Sequence, residues 1–443
     1  MPDSPLMKRL LKYLETLPVV DCHSHTMNPE DYVKHEPGLF TFWSYFGRDS
    51  GGILGDDVSK RISELPDDRA RWRLLSEILD KARNVTYWRH HVIMYRELFG
   101  LKDWELTDRN WRALSDRIKR TAGTSKWYDE VTRRKCGLVT AVRNVTPFDE
   151  KWDPKYFTPV VRMECVLRLH TNPAHTPGKP DRIERRGRSR KTVGIQFVEK
   201  GLDLSIDNLN DLKTAIASLV SRYKDRGAVG VKFGHAYWRT LYHEKIADRQ
   251  ASPILGKLLR GRSISDPEIK ALQDWGFRQT VAAAGDLGMV VQIHTGVQTN
   301  WGHIPDSNPL NLLNVLNEFR NVRFDLFHAG YPYAREMGML GKHYPNVWLN
   351  MCWMYLVTTA GSRQLLSEWI DLVPGHRLLG FGSDVVAPEF IYGHLVMARD
   401  CLARVLAEKV ERDYMTEEGA RTLARMMLLE NPCKLYGLKE PRA

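Results

Sequence analysis

The sequence predicts an α/β protein that folds as a (β/α)8 TIM barrel with a large helical insertion after its first strand. Two observations predict this fold. A chain of 443 residues is long enough for one such barrel with insertions, and short apolar, β-rich runs alternate with helical or loop-rich segments, as parallel strands joined by crossovers do. The runs are residues 19–25, 136–142, 157–164, 227–233, 288–294, 322–328, 346–352 and 377–383.

The connection between the first two runs is much longer than a barrel requires. It contains helical patterns at residues 71–80 and 90–99. Because loops that follow barrel strands lie on the catalytic face, we expect residues 26–130 to form a helical insertion over the barrel mouth. Residues 1–25 and 131–443 then form the barrel itself. The aromatic run at residues 40–46 is more typical of a small helical core than of a substrate lid.

The composition excludes several classes of protein. No apolar stretch approaches the ~20 residues that a membrane span needs, and the first residues lack a signal-peptide core. We therefore expect a cytoplasmic protein without a membrane partner. The six cysteines are scattered and form no Cys-x-x-Cys pair, which argues against a zinc ribbon and against a disulfide framework. Large barrels often self-associate, so we expect a homo-oligomer.

The charge is basic, with a formal net charge of +11 from 65 basic and 54 acidic residues. Such a balance suits an anionic small-molecule substrate or a polyanionic partner. The densest basic run, residues 182–191, has no interleaved aromatic residues and is more typical of a solvated loop than of a nucleic-acid site. We expect no nucleic-acid partner. A polyanion-binding protein on a catalytically silent barrel is the alternative from a different class.

The most specific motif is His23-Ser24-His25, at the end of the first run. Side chains alternate between the two faces of a strand, so His23 and His25 point the same way and can bind one metal ion. Two polar histidines without a metal at a strand end are the alternative interpretation.

Polar residues also stand at the ends of later runs. Lys232 ends the fourth run, His294 the fifth and His328 the sixth, and Asp384 follows the eighth. Because the carboxyl ends of parallel barrel strands meet on one face, these side chains and the histidine pair are predicted to converge on one pocket.

These residues resemble the amidohydrolase superfamily, whose metal-dependent barrels carry His-x-His on the first strand, histidines on the fifth and sixth, and an aspartate on the eighth. Residues 293–296 and 326–332 resemble the branch that contains decarboxylases, lactonases and uncharacterised hydrolases. Residues 84–88 and 95–100 are similar to a segment of uronate isomerases. The chain departs from uronate isomerases after the last strand, where Ser383-Asp384-Val385-Val386-Ala387-Pro388 replaces an arginine- and serine-rich continuation.

The resemblance implies that His23, His25, His294 and Asp384 bind one or two divalent metal ions. Zinc is the default for a nitrogen-rich mixed site, and manganese or iron would also fit. It further implies that Asp384 takes a proton from the attacking water and returns it to the leaving group. His328 would orient the nucleophile, stabilise an oxyanion or bind a second metal ion.

The role of Lys232 is open among three interpretations. It is a carbamylated bridging ligand in several superfamily members, and otherwise it would bind a substrate oxyanion as an ammonium group or form a structural ion pair. The segment after it supplies His235, Tyr237 and Arg239 as candidate substrate-binding residues at the mouth. A loop with a surface arginine is the alternative.

The predicted function is that of a metal-dependent hydrolase, in which activated water attacks an amide, ester or lactone bond of a small anionic substrate. Two other reactions remain open. They are non-oxidative decarboxylation of an aromatic acid and uronate-type aldose-ketose isomerisation.

Overall fold

The structure is a computed structural model that describes residues 4–55, 58–148, 151–173, 183–186, 189–298 and 303–441. Its sheet has eight strands in the order in which they occur along the chain, and every neighbouring pair is parallel. The strands are β1 (Val19–Ser24), β2 (Leu138–Val145), β3 (Phe157–Arg162), β4 (Gly230–Phe233), β5 (Val290–Ile293), β6 (Phe324–Leu326), β7 (Val347–Asn350) and β8 (Leu378–Leu379).

Backbone hydrogen bonds between β1 and the segment after β8 bring the sheet close to full closure. Cys22 N–H donates to Phe381 O at 3.1 Å, and Asp384 N–H donates to His23 O at 2.8 Å. The predicted TIM barrel is therefore confirmed. Seven of the strands are shorter than the predicted runs, whereas β2 has eight residues and extends to Val145. The polar residues His25, His294 and His328 of the predicted runs lie after their strands, in the loops of the barrel mouth.

Helices cover the outside of the barrel and fill the long connection between β1 and β2. The first helix, α1 (Pro5–Thr16), precedes β1. The helices of the long connection are α2 (Pro29–Lys34), α3 (Gly47–Leu54), α4 (Val58–Glu64), α5 (Asp68–Ala82), α6 (Thr86–Phe99), α7 (Trp111–Thr121) and α8 (Ser125–Asp129). The predicted helical insertion after the first strand is thus confirmed, while the domain boundaries at residues 26 and 130 stay a prediction.

The remaining helices follow the later strands as barrel crossovers do. They are α9 (Glu164–Leu167), α10 (Val193–Leu202), α11 (Leu209–Asp225), α12 (Asp248–Leu259), α13 (Asp266–Asp286), α14 (Leu313–Glu318), α15 (Ala334–His343), α16 (Met354–Val357), α17 (Thr359–Leu372), α18 (Pro388–Glu411), α19 (Glu417–Arg425) and α20 (Asn431–Tyr436). Among the described residues, no helix is both long enough and apolar enough to span a membrane.

The insertion packs beside the mouth, against the helices that follow β7 and β8. Helix α6 contacts α16 and α18, and a ring nitrogen of His90 lies 3.0 Å from Phe390 O. Phe42 and Phe46 of the aromatic run are buried, and the Phe42 ring packs edge-on against Phe390. This run therefore contributes to a helical core, as the sequence indicated.

A buried carboxylate, Glu389, joins the insertion to the start of α18. Its Oε1 accepts hydrogen bonds from the Tyr32 hydroxyl and, at 2.9 Å, from Trp127 Nε1, while Oε2 has no hydrogen-bond partner among the described residues. Burial raises the pKa of Glu389 from its ordinary 4.5 to about 6. The folded protein therefore holds this proton more tightly than the unfolded chain does.

We expect the substitution Glu389→Gln to stabilise the protein at pH 8 and to have a smaller effect at pH 5. A raised pKa in the folded state means that this carboxyl costs stability as pH rises from about 4.5 to about 6, by about 2 kcal/mol in total. Denaturant unfolding at the two pH values measures the difference, and Glu77→Gln, at an exposed position, is the control. An equal change in the free energy of unfolding at both pH values would contradict the prediction.

Candidate active site and metal centre

A cavity of about 290 Å³ opens at the carboxyl ends of the strands. Its walls come from the ends of β1 to β5 and from the loop after β8. Of the sequence-predicted site residues, the wall includes His23, His25, Lys232, Tyr237, His294 and Asp384. The lining residues all lie outside the insertion at 26–130, so the insertion flanks the cavity without forming its wall in the described part of the chain.

His23, His25 and Asp384 form the centre of the site. The Asp384 Oδ1 lies 3.1 Å from His23 Nε2 and 3.2 Å from His25 Nε2, and one donor atom from each residue lies within 4.8 Å of the other two. The His-x-His motif therefore does what its spacing predicts, because both imidazoles reach the same carboxylate. These residues offer two nitrogens and one oxygen, the donor set of many zinc sites.

The protonation states of this group also suit a divalent cation. Burial, followed by the charge of Lys232, holds the pKa of His23 well below its usual range, so its ring is neutral. Burial alone would raise the pKa of Asp384, but His23 and His25 keep it well below the usual range. His23 Nδ1 is buried without a hydrogen-bond partner. A neutral imidazole and an ionised carboxylate are the forms that bind metal, so the residues fit a divalent ion.

A second carboxylate, Asp21, fixes the backbone that carries these ligands. Its Oδ1 accepts from the backbone N–H groups of Ser383, at 2.7 Å, and of His23, at 3.2 Å. Burial raises the pKa of Asp21 to about 7. Sequence reasoning missed this residue, although its position two residues before His23 on the same strand face was a usable signal.

Lys232 lies buried beside the donor group. Its Nζ is 3.5 Å from His23 Nε2 and 4.1 Å from the centroid of the Phe327 ring. Burial lowers the pKa of Lys232 from 10.5 to about 8. This position places an amine in the part of the cavity that His23, His25 and Asp384 line. The predicted catalytic role of Lys232 stays a prediction.

His294 and His328 face each other on the far side of Asp384. His294 Nδ1 lies 2.9 Å from His328 Nε2, and His294 Nε2 lies 2.8 Å from Val297 O. His328 Nε2 is 3.9 Å from Asp384 Oδ2. His294 is thus adjacent to the donor atoms but belongs to neither group of three potential ligands in the described residues, and its role as a ligand stays a prediction.

The structure corrects the expectation for Arg239 and His235. The Arg239 guanidinium is buried and donates to Asp274 Oδ1 at 2.6 Å and to Gln273 Oε1 at 3.1 Å, while a ring nitrogen of His235 lies 3.0 Å from one of His243. Neither residue lines the cavity, because these buried partners hold both side chains behind its wall. Tyr237 does line it, with its ring centroid 4.6 Å from that of His294.

The cavity has a cationic wall that sequence reasoning missed. Arg162, at the end of β3, and Arg168, directly after α9, line it together with Glu164 and Trp238. Arg162 pairs with Glu164 at 3.1 Å, and the Arg168 guanidinium lies 4.7 Å from the centroid of the Trp238 ring. Burial alone would raise the pKa of Glu164, but Arg162 lowers it. Charged residues at the end of the third predicted run were the available signal.

The basic run at residues 182–191 lies partly outside the described residues. In its described part, Lys191 Nζ pairs with Glu199 at 2.6 Å and with Asp207 at 3.1 Å. Arg185 donates to the backbone oxygens of Arg190 and Arg262. These contacts are internal to the protein, and they do not favour a polyanion-binding role for this run.

A nearly closed parallel barrel with histidines and an aspartate at its strand ends is typical of the metal-dependent barrel enzymes. The protein family described as Amidohydrolase matches residues 208–438, slightly more than half of the chain. The chain therefore belongs to the amidohydrolase family, and the predicted membership of the amidohydrolase superfamily is confirmed. Members of this superfamily typically bind a divalent metal.

Individual relatives divide between partial and full-length matches. The FluG protein of Emericella nidulans is 31% identical over 49% of this chain, and the match spans only 26% of FluG. The uronate isomerase of Rhizobium meliloti is 25% identical over 95% of this chain and 94% of its own length. Among solved structures, the glucuronate isomerase from Caulobacter crescentus has a TM-score of 0.78 and 17% identity, covering all of this chain and 96% of that one.

Proposed function

We propose that this protein is a metal-dependent enzyme that acts on a small anionic substrate, and that its reaction is the aldose-ketose isomerisation of a uronic acid. One observation carries the proposal. The donor group of His23, His25 and Asp384 and the arginines Arg162 and Arg168 line the same cavity of about 290 Å³. Such a cavity suits a small molecule with a carboxylate at one end and an oxygen-rich reacting centre at the other.

The full-length relatives support the choice of reaction. The uronate isomerase of Rhizobium meliloti matches this chain almost from end to end, whereas the hydrolase reading rests on the superfamily alone. This favours isomerisation over the hydrolysis that the sequence motifs suggested first.

One end of the cavity binds the substrate carboxylate, and the other end holds the carbons that react. Arg168, whose guanidinium lies over Trp238, binds the substrate carboxylate, while Arg162 and its partner Glu164 shape the same wall. His23, His25 and Asp384 would hold a divalent ion, which when bound would supply Lewis-acid polarisation of the substrate oxygens at C1 and C2. Isomerisation also needs a group that moves a proton between these carbons, and Asp384 and Lys232 lie at that end of the cavity.

Hydrolysis is the second candidate function. It is favoured by the residues after Asp384, because Val385, Val386, Ala387 and Pro388 replace the arginine- and serine-rich continuation of uronate isomerases. A carboxylate that contacts two histidines also suits the activation of a water molecule.

Product analysis by NMR tests the two candidates together. The protein, stripped with chelator and reloaded with zinc or manganese, is incubated with D-glucuronate, D-galacturonate, carboxylate-bearing lactones, N-acyl amino acids and aryl carboxylates. We expect ketose signals from a uronate and no conversion of D-glucose, which has a hydroxymethyl group in place of the carboxylate. Cleavage of a lactone or an amide without uronate conversion would favour hydrolysis, and carbon dioxide release would favour decarboxylation. Conversion of D-glucose at the same rate would contradict the anionic-substrate proposal.

A further inference from the structure

We propose that Cys352, together with His328 and Asp384, forms a second metal position in which the cysteine sulfur is a ligand. The proposal rests on the metal-dependent part of the proposed function and names a ligand on the strand-end segment after β7. In the sequence, this cysteine belongs to no Cys-x-x-Cys pair.

The first argument is the distance between donor atoms. One donor atom each from His328, Cys352 and Asp384 lies within 4.8 Å of the other two. Ligand atoms on one tetrahedral zinc-like ion lie roughly 3 to 4 Å apart, because the metal bonds are ~2.0 to 2.3 Å long. The three side chains therefore need only a small contraction to share one ion.

The second argument is the orientation of the Asp384 carboxylate. Its Oδ1 faces His23 and His25, at 3.1 and 3.2 Å, while its Oδ2 faces His328 Nε2 at 3.9 Å. The two oxygens thus point to two different sets of donors. A carboxylate in this position can bridge two cations and contributes to both positions.

The third argument is the close approach of Cys352 to the loop that carries Asp384. A Cβ atom at Gly382 would lie 2.9 Å from Cys352 Cβ and 3.1 Å from its Sγ. Any larger residue at position 382 would push the sulfur away. Cys352 N–H also donates to Asn350 Oδ1 at 2.9 Å, and Trp353 N–H donates to Gly382 O at 3.0 Å. These bonds fix the backbone that carries the sulfur, and the absence of a side chain at Gly382 leaves room for it.

The fourth argument is backbone conformation at the contributing residues. His328, Asp384 and Trp353, which follows Cys352, have φ values of 59°, 54° and 60°. Non-glycine residues rarely adopt this left-handed conformation, and such strain collects at functional sites. The left-handed conformation therefore occurs in all three segments, at or next to the residue that supplies the donor atom.

The donor chemistry selects the kind of cation. On binding, the Cys352 sulfur loses its proton to solvent, and the thiolate and the shared carboxylate balance much of the charge of a divalent ion. Thiolate and imidazole favour zinc, cobalt(II) or iron(II) over magnesium or manganese. We therefore infer a thiophilic second ion beside a first ion that only nitrogen and oxygen hold.

Cobalt(II) titration of the chelator-stripped, full-length protein tests the proposal. We expect up to two cobalt ions per chain, together with an intense near-ultraviolet thiolate-to-cobalt charge-transfer absorption. Cys352→Ser should lose this absorption and one of the two ions. His25→Ala should weaken the first ion and keep the absorption, because His25 is not part of the second group. Cys401→Ser is the matched control, since Cys401 is buried on α18 beside Asp400 and Arg404, and it should change neither readout.

The outcomes separate this inference from the proposed function. Cobalt bound to the wild-type protein without a thiolate absorption would overturn the role of Cys352 and leave the first metal position intact. A protein that binds no metal would overturn both proposals. If Cys352→Ser does not fold, X-ray absorption of the zinc-loaded wild type decides, because a sulfur neighbour of zinc supports the inference and a shell of nitrogen and oxygen alone contradicts it.

Discussion

Asp384→Asn is expected to lower kcat/KM by about a thousandfold and to remove most of the bound metal. The substitution keeps the size of the side chain but removes the negative charge that His23 and His25 face at 3.1 and 3.2 Å. Because both groups of potential ligands share this carboxylate, its loss affects every metal position at once. Steady-state kinetics and the metal content of the purified variant measure the two effects.

Asp306→Asn is the matched control for this experiment. Asp306 pairs with the exposed His303 at 3.3 Å and does not line the cavity, so its neutralisation should leave both readouts unchanged. Full metal content and wild-type turnover in Asp384→Asn would show that the strand-end cluster is not the catalytic centre.

Arg168→Met is expected to raise KM for an anionic substrate by roughly 30-fold or more, with a smaller change in kcat. Arg168 is 3% exposed and lies over Trp238 in the cavity wall, and removing one partner of a buried charged contact costs about 2 kcal/mol or more of binding free energy. A substrate carboxylate would then be buried without its partner. KM and the inhibition constants of small carboxylates measure the effect, and a neutral analogue should bind as before.

Arg335→Met provides the comparison. Arg335 is an exposed arginine that pairs with Glu368 at 2.8 Å, so the same change of charge occurs away from the cavity. If both variants raise KM equally, the effect reflects the overall charge of the protein and the role of Arg168 in binding the carboxylate is wrong.

The sequence was sufficient to predict the site residues that lie at the carboxyl ends of strands. His23, His25 and Asp384 converge because the carboxyl ends of parallel strands meet on one face, and alternation along β1 sets the direction of the two histidines. These are local rules that need no knowledge of distant contacts.

Residues whose role depends on a distant partner could not be predicted in this way. Arg239 looked available for substrate, but Asp274, which is far along the chain on α13, binds it behind the wall. Arg168 looked like an ordinary charged residue, and only the turn of the chain after β3 brings it into the cavity. Cys352 likewise carries no spacing motif, since its potential partners come from β6 and β8.

The contact between β1 and the segment after β8, where the barrel closes, links the two ends of the barrel sequence. His23 and Ser383, which meet there, are 360 positions apart in the sequence, and the backbone bond from Asp384 to His23 joins the same two segments. A cation bound by His23, His25 and Asp384 therefore acts as a cross-link that closes a loop of nearly the entire polypeptide. Closing so long a loop costs conformational entropy during folding, and an ion in this position would also tie the first strand to the last.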